Sequence, residues 1–331
     1  VCLKPRLFDK IGIDADNLRW LTMPDGMEVG GGGMFATTED NLRLMKLYAD
    51  GGVWEGERIL SEEYVKLATS KQNDSASERA VNPPAEDNFV GYGFQIWMCR
   101  PKGVYRADGA MGQFTIVFPD RDMLLAITEN ASGSTGGAMP QKALDTIWEW
   151  LESLPDATVE TLPEDVTASE HLARRMEKLA LASPRRSPES ALQGQLNGSV
   201  YAVTDGYFSL LDSGMTKFMS GAPLPESAKT VAFSFQNNTC TITCMEDGKA
   251  MTLHSAMDGT QIRNDLPDMP SIALCSGCWV SDHEFKITMR MLETCNERYM
   301  TFRFDGDTLC TEEGSNHAFA HGSDKATWKR I

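Results

Sequence analysis

The sequence predicts an α+β fold in two parts, an antiparallel sheet with packed helices followed by an all-β, barrel-like domain. Residues 91–130 contain short apolar strands separated by glycine and proline turns, which is typical of an antiparallel meander. Apolar residues recur at helical spacing on both sides of this stretch. From Gly194 onward, short strand patterns follow one another, with Asp-Gly or Asn-Asn turns between them. A chain of 331 residues is long enough for two domains of ordinary size.

The meander has a predicted position for each strand. The strand patterns lie at residues 95–98, 104–108, 114–118 and 123–128. Pro101-Lys102-Gly103 and Pro119-Asp120-Arg121-Asp122 separate them as tight turns, because proline fixes φ and glycine accepts positive φ. Gly109 and Gly112 interrupt the corner before the third strand, which indicates a close approach of the backbone to another group.

Four helices are predicted around and after the meander. Thr37 or Thr38 caps the first, which stops at Asp50-Gly51-Gly52, and Ser61 opens the second. Residues 141–154 form an amphipathic helix whose apolar face covers the sheet, and residues 171–181 form a fourth helix. Residues 70–88 are polar and contain Pro83-Pro84, so they are predicted to form a surface loop.

The second half is predicted to be all-β. Strand patterns lie at residues 200–203, 207–211, 217–219, 230–235, 239–245, 251–255, 278–280, 285–291, 299–304 and 308–311. Asp247-Gly248, Asp258-Gly259 and Asp305-Gly306 are the hairpin signals. Gly277-Cys278-Trp279 resembles the glycine-x-tryptophan pattern at one end of lipocalin-like barrels.

These patterns divide the chain into residues 1–154, a helical linker at 155–190, and a β domain at 191–331. The linker is marked by Ser183-Pro184-Arg185-Arg186-Ser187-Pro188. If the β domain is independent, mild proteolysis should cut between Leu181 and Gln195 and leave a folded fragment.

The net charge of −16 disfavours binding to nucleic acid or to an anionic membrane by bulk charge. No run reaches the roughly 18 apolar residues of a membrane span. Eight cysteines lack the density of a disulfide scaffold, and with 18 methionines they favour a reducing, cytoplasmic compartment. The chain begins at Val1, so we expect a segment to precede it, and export stays open as an alternative.

Two motifs raise the question of a cofactor or metal. The glycines at 30–33 precede a helix start, as in a phosphate cradle, but they lack the Lys-Ser/Thr of a P-loop. Cys275 and Cys278 form a CxxC with His283 nearby, but zinc requires further ligands at compatible spacing. We therefore predict a tight turn, buried thiols, no metal and no cofactor.

Four segments together resemble the penicillin-recognising serine hydrolases, which include class C-type β-lactamases, D-alanyl-D-alanine peptidases and related esterases. Residues 29–40 are similar to the family's glycine run and following helix start, and residues 50–61 to the segment after it. Gly91-Tyr92-Gly93-Phe94 also matches. Ala107-Asp108-Gly109 falls where the family has Lys-Thr-Gly or His-x-Gly on the strand that lines the active site. The resemblance spans roughly residues 1–152, and some members of the family carry a β-rich tail.

The resemblance implies hydrolysis of an ester, amide or peptide bond through an acyl-enzyme. That chemistry requires a serine with a lysine one helical turn later, where the amine can take the hydroxyl proton. The sequence contains neither Ser-x-x-Lys nor Tyr-x-Asn, both of which precede the glycine run in the family. We therefore expect the C-terminal part of a larger hydrolase, inactive by itself.

The resemblance also implies the residues of the substrate site. Ala107, Asp108 and Gly109 are the predicted substrate-binding residues, and the Ala110 N–H is an oxyanion-hole donor by position. Ala107 replaces the family's cation, which weakens recognition of a β-lactam or terminal carboxylate, and Arg106 points to the opposite face. Asp108 either favours a neutral or cationic substrate or caps a turn.

Two functions from different classes follow. The first is a serine hydrolase part that acts on a small molecule or peptide. The second is a non-catalytic relative whose cleft binds a ligand or whose β domain mediates assembly, and Ala107 is the residue that supports it. Oligomerisation through the β domain is compatible with either function.

Overall fold

The computed structural model describes residues 2–74, 86–109, 111–129, 141–155, 164–183, 187–210, 221, 223, 225–267, 271–316 and 324–331. The helices are α1 Thr38–Ala49, α2 Glu62–Ala68, α3 Gln141–Ser153, α4 Val166–Met176 and α5 Gln193–Leu196. The strands of the N-terminal part are β1 Arg19–Trp20, β2 Met34–Phe35, β3 Val53–Trp54, β4 Glu57–Arg58, β5 Trp97–Met98, β6 Tyr105–Gly109, β7 Gln113–Phe118 and β8 Met123–Thr128. The C-terminal strands are β9 Val200–Gly206, β10 Thr230–Gln236, β11 Thr239–Glu246, β12 Lys249–Ala256, β13 Ile262–Asp265, β14 Ile272–Ser281, β15 Glu284–Met291, β16 Glu297–Asp305, β17 Thr308–Ser315 and β18 Lys325–Arg330. The predicted α+β class with a β-rich second half is confirmed.

The N-terminal part is organised around a four-stranded antiparallel sheet in the order β5-β6-β7-β8. This is the predicted meander, and β8 has the predicted bounds. In register, Ala107 pairs with Thr115 and Gly109 with Gln113. Since side chains alternate along a strand, neighbouring residues of β6 lie on opposite faces of the sheet.

Helices cover both faces of this sheet. On one face, Phe114, Ile116 and Phe118 of β7 pack with Leu144 and Trp148 of α3. On the other face, the apolar cluster of Met45, Tyr105, Val117 and Leu124 joins α1 to the sheet, and Ala107 packs against this cluster. The two faces are called the α3 face and the α1 face below.

Capping residues fix the helix starts as predicted for α1 and α2. The Asp40 amide donates to Thr37 Oγ1 at 3.1 Å, and the Thr37 amide donates back to the Asp40 carboxylate at 2.9 Å. Ser61 Oγ accepts from the Tyr64 amide at 3.2 Å. Helix α4 starts five residues before the predicted position because Asp165 caps it, accepting from the Ala168 amide at 2.8 Å.

The C-terminal part is a closed β-barrel. Strands β12-β11-β10-β9-β18-β17-β16-β15-β14 are hydrogen-bonded in that order. The ring closes where β12 runs beside β14 in the same direction, with Ala256 paired to Ser276. Strand β13 pairs only with β14 among the described strands, so it lies beside the ring of nine. Aromatic side chains such as Phe233, Phe302 and Trp328 fill the interior.

Asparagine and Asp-Gly turns set the hairpins of the barrel. Asn237 and Asn238 both have positive φ between β10 and β11, as do Asp247 and Gly248 between β11 and β12. This geometry is that of the hairpin turns which match strand twist. The hairpin signal at Asp258-Gly259 was wrong, because β12 and β13 on either side of it are not paired.

Several strand predictions in this half were wrong or incomplete. Residues 207–210 form no strand, the strand containing Gly277 begins at Ile272, and β13 and β18 were not predicted. Both missed strands contain mostly polar or charged residues, so their local pattern resembles a loop. The predicted strand at 217–219 lies outside the described residues.

Residues 207–210 turn into the barrel, where Phe208 and Leu210 are fully buried. A buried polar cluster holds this segment: Arg298 donates to the carbonyls of Ser209 at 2.7 Å and Leu210 at 3.0 Å. The Leu210 amide donates to Glu246 at 2.9 Å, and the Ser209 amide donates to Glu313 at 3.2 Å. Arg298 also pairs with Glu313. Side chains thus satisfy the backbone groups of Ser209 and Leu210. The Tyr207 amide donates to the Lys325 carbonyl at 3.0 Å, and the Phe208 carbonyl accepts from the Ala228 amide at 2.8 Å.

The two parts touch through Arg19 of β1, which forms an ion pair with Glu293 at 2.8 Å and a hydrogen bond with Ser271. Residues 187–196 lie against the barrel, since the Trp279 amide donates to the Ser187 carbonyl at 2.9 Å. None of the described helices combines the length and apolar character that crossing a membrane requires.

Candidate active-site sheet

The region that the sequence singles out is the end of β6 and the turn to β7. Gly109 pairs with Gln113, and the Gly112 amide donates to the Gly109 carbonyl at 3.3 Å. Met111 and Gly112 have φ of +75° and +102°, so two successive residues adopt left-handed conformations. Ala110, the predicted oxyanion donor, lies outside the described residues.

Ala107 and Gly109 belong to the α1 face. Ala107 packs against the apolar cluster that includes Tyr105 and Met45, and its methyl group is partly buried. Since residues pair and alternate in register, Gln113 and Thr128 continue the same face at the ends of β7 and β8. No lysine, arginine or histidine occurs among the β6, β7 and β8 residues of the α1 face.

Neutral hydrogen-bonding groups gather at the glycine end of the α1 face. A Cβ at Gly109 would lie 2.5 Å from Gln113 Oε1, so the glutamine side chain rests directly on the glycine. Thr128 Oγ1 and Thr38 Oγ1 are 3.0 Å apart, which joins the end of β8 to the first turn of α1. This end of the sheet therefore presents an amide and two hydroxyls.

Asp108 and Arg106 lie on the α3 face and form a fully buried ion pair. Arg106 Nε donates to Asp108 Oδ2 at 2.7 Å, and both side chains have no exposed surface. Arg106 also donates to Asn88 Oδ1 at 3.0 Å and stacks over Trp97 at 5.5 Å. In this contact the Asp108 carboxylate accepts from the arginine side chain and does not cap a turn. A substrate contact through Asp108 stays a prediction.

Burial determines the direction in which the pKa of Asp108 shifts. Burial raises the pKa of Asp108 to about 6, and Arg106 offsets only part of this effect. Burial likewise raises the pKa of the neighbouring Cys99 thiol to about 11. The second Asp108 oxygen, Oδ1, has no hydrogen-bond partner among the described residues. The carboxylate is thus ionised at neutral pH at an energetic cost.

Asp87 is a buried anchor that sequence reasoning missed. Its carboxylate accepts from Trp148 Nε1 at 3.0 Å, Gln141 Nε2 at 2.7 Å and the Arg100 amide at 2.8 Å. Burial acts to raise the pKa of Asp87, but these hydrogen bonds outweigh it and the pKa is lowered. The surface-loop prediction for residues 70–88 is therefore wrong at Asp87, which is fully buried and joins α3 to the sheet.

Glu129 was also not anticipated. It follows β8 and lies against Gly112, where a Cβ would be only 2.4 Å from Glu129 Cγ. Glu129 Oε1 is buried and has no hydrogen-bond partner within the described ranges, and burial raises the pKa of this carboxyl group. The glycine at 112 was the one sequence signal, since it indicates a close approach.

The described residues contain no group of three histidine, cysteine, aspartate or glutamate side chains that could hold a metal ion. Cys275 and Cys278 are both buried in β14. Burial raises the pKa of the Cys275 thiol to about 12, so it is protonated at neutral pH and is a poor ligand in that form.

Residues 9–146 match the family model described as Beta-lactamase. No curated protein matches the chain.

Several solved structures align with part of the chain. A fatty-acid-binding protein of Schistosoma mansoni in complex with arachidonic acid has 14% identity, covers 42% of this chain and 98% of its own, and has a TM-score of 0.31. The fatty-acid-binding protein of Manduca sexta has 14% identity, with 40% and 98% covered and a TM-score of 0.29. Human cRBP IV also has 14% identity, with 41% and 98% covered and a TM-score of 0.29. The arachidonic acid belongs to the schistosome protein.

The N-terminal part contains the antiparallel sheet with helices on both faces, and the family match falls within this part. Residues 9–146 match the beta-lactamase family model, and in this chain they are joined to a nine-stranded barrel.

Proposed function

We propose that residues 9–146 supply one wall of the active site of a serine hydrolase that cleaves a neutral ester or amide through an acyl-enzyme. A Ser-x-x-Lys nucleophile and a Tyr-x-Asn segment, which these 331 residues do not contain, complete the site. The chain by itself is inactive, because without the serine no acyl-enzyme forms.

The neutral α1 face of β6 supports this proposal. Ala107 occupies the position at which the resembling hydrolases carry lysine or histidine, and Gln113, Thr38 and Thr128 surround the glycine end with uncharged donors. A substrate carboxylate would meet no cation from these strands, whereas an ester or amide needs none. The Arg106 charge is on the α3 face and is held by Asp108.

The turn after β6 provides the electrostatic part of the proposed mechanism. An N–H at residue 110 would donate to the oxyanion of the tetrahedral intermediate, and the amide of the serine would be the second donor. The Gln113 side chain fills the space that a Cβ at Gly109 would occupy, so Gln113 would face the substrate beside this turn. Asp108 would act on the substrate only through the buried pair behind this strand.

A second function is a non-catalytic ligand-binding or assembly module. The observation that favours it is again Ala107, because loss of the strand cation is also expected in a relative that no longer catalyses. In that case a Ser-x-x-Lys segment would be absent from the complete protein as well.

Intact-mass measurement after exposure to a fluorophosphonate, and separately to a penicillin, distinguishes these functions. We expect no adduct on the 331-residue chain and a single fluorophosphonate adduct on a longer version that includes Ser-x-x-Lys. An adduct on the 331-residue chain would overturn the assignment of the nucleophile. If a longer version with the motif formed no adduct with either reagent, the non-catalytic function would replace the proposal.

A further inference from the structure

Gln113, the first residue of β7, lies across the glycine end of the α1 face. In register it pairs with Gly109 of β6 on one side and with Thr128 of β8 on the other. The three atoms nearest to a Cβ built on Gly109 all belong to Gln113: Oε1 at 2.5 Å, Cβ at 3.3 Å and Cδ at 3.4 Å. The absence of a side chain at Gly109 therefore gives the glutamine its place on the sheet.

The carboxamide of Gln113 is available to a ligand. Gln113 is half-buried, and its side chain forms no hydrogen bond with another residue of the described ranges. The hydroxyls of Thr38 and Thr128 beside it are 3.0 Å apart and bond to each other. A carboxamide has two donor hydrogens and an acceptor oxygen, and leaving such groups unpaired as water is excluded costs free energy. A ligand that pairs with both kinds of group would recover that cost.

The first turn of α1 adds negative charge beside this end of the sheet. Thr38, which contacts Thr128, is followed by Glu39 and Asp40. Arg43 is bound to Glu39 at 2.7 Å, so one acidic charge of this turn stays unbalanced by it. Since like charges repel, a substrate carboxylate is disfavoured here, whereas an uncharged polar group is not.

We propose that Gln113 determines substrate specificity by binding an uncharged amide group of the substrate in place of a carboxylate. This inference rests on the proposed function, because the amide reaches Gln113 only if the substrate lies along β6. The N–H groups of the carboxamide donate to the amide carbonyl, and Oε1 accepts from the amide N–H. A carboxylate has no hydrogen to donate to Oε1, and it brings a charge that no cation of the α1 face of β6, β7 and β8 balances.

Hydrolysis of two p-nitrophenyl esters by the longer version that includes Ser-x-x-Lys tests the proposal. One ester is made from adipamic acid and ends in a carboxamide, and the other is made from adipic acid and ends in a carboxylate. We expect kcat/KM to be about 30-fold higher for the carboxamide ester. Gln113→Ala should reduce this ratio by about tenfold, the effect of one or two hydrogen bonds. Gln113→Lys should invert the preference, because an ammonium group pairs with the carboxylate.

Matched controls use a glutamine of the barrel. Gln236 is exposed at the end of β10, so Gln236→Ala and Gln236→Lys should leave the ratio unchanged. Both esters are compared on the same variant, and a loss of folded enzyme therefore cancels from the ratio. A Gln113 variant of reduced stability still tests the proposal for this reason.

The outcomes separate this inference from the proposed function. A ratio that Gln113→Ala leaves unchanged would overturn the inference, and Gln113 would then only cover Gly109. A longer version that forms the fluorophosphonate adduct but shows no preference for the carboxamide ester would also overturn the inference alone. Absence of both the adduct and ester cleavage would overturn the proposed function and the inference together.

Discussion

The guanidinium of Arg106 and the carboxylate of Asp108 meet at 2.7 Å on a single strand, and neither side chain has exposed surface. Two residues apart on β6, they share the α3 face, while Ala107 between them faces α1. Residues 106–108 of β6 therefore place the charged pair on one face of the sheet and the proposed substrate-facing residue, Ala107, on the other.

Removing only the arginine should strongly destabilise the sheet. Arg106→Leu leaves the Asp108 carboxylate buried without a counter-charge, which typically costs about 3–5 kcal/mol. Arg106→Leu/Asp108→Leu should recover most of this loss, because no unpaired charge remains. Urea unfolding followed by tryptophan fluorescence measures both values. Equal destabilisation by the single and double variants would show that the packing of Arg106, rather than charge, dominates.

The pH dependence of stability should carry the signature of Asp108. Its pKa in the folded chain is about 6, above the value of about 3.9 in an unfolded chain, so the folded state binds the proton more tightly. The stabilisation that this tighter proton binding gives the folded state is complete below pH 4 and is lost as the pH rises through 6. Relative to Asp108→Asn, the protein should lose on the order of 3 kcal/mol between pH 4 and pH 7. Unfolding curves at several pH values measure this difference, and a difference that is constant with pH would contradict it.

Gly112→Ala should destabilise the β6–β7 turn through two separable effects. The φ of +102° is unfavourable for alanine, and the new Cβ would lie 2.4 Å from Glu129 Cγ. We expect a loss of about 1–3 kcal/mol. In a Glu129→Ala background the contact between the new Cβ and Glu129 Cγ is absent, so the loss of stability caused by Gly112→Ala should be smaller. Gly31→Ala is the control, because open space surrounds that position, and it should change thermal stability little.

Arg298→Met should release the segment at residues 207–210 from the barrel. The carbonyls of Ser209 and Leu210 lose their donor and Glu313 loses its counter-charge, at a cost of about 3–5 kcal/mol. Hydrogen exchange at the amides of Ser209 and Leu210 should accelerate. Arg263→Met removes an exposed arginine of the same barrel and should change stability by less than about 0.5 kcal/mol. Unchanged exchange in Arg298→Met would mean that the remaining contacts, such as the packing of Phe208 and the Glu246 hydrogen bond, hold the segment without the arginine.

Limited trypsin digestion should release a folded barrel. The exposed basic residues Arg174, Arg175 and Lys178 precede Ser187, whose carbonyl is already bonded to the barrel. We therefore expect cleavage after these residues, so the stable fragment should begin shortly before the predicted 181–195 window. Mass spectrometry of the fragment and its thermal unfolding test this division. A fragment that lacks cooperative unfolding would argue that the N-terminal part, through Arg19 and Glu293, is needed for stability.

The sequence patterns correctly predicted the features that depend on interactions between residues close in sequence. The Thr37 and Ser61 caps and the bounds of β8 follow from neighbouring residues, and the structure contains them. The strand prediction for residues 207–210 was wrong because Arg298 and Glu246, which are distant in sequence, satisfy backbone groups of Ser209 and Leu210. The hydrophobic periodicity of a segment does not indicate a hydrogen-bond partner that is distant in sequence.

The candidate site shows the same limit. Placement of Ala107 and Gly109 at the end of an inner strand follows from the meander. The buried role of Asp87 does not, because its partners Gln141 and Trp148 come from a helix more than 50 residues away. A polar residue in a polar stretch gives no indication that it is buried.

The way in which the barrel closes has a topological consequence. Strand direction alternates around an antiparallel ring, and an odd number of strands cannot alternate all the way round. One neighbouring pair must therefore point the same way, and in this ring of nine that pair is β12 and β14. The mismatch is confined to Ala256 and Ser276, so this seam has the fewest hydrogen bonds to break. In a barrel with an odd number of strands, the parallel pair is the place where the ring is expected to open first, and here that pair is β12 and β14.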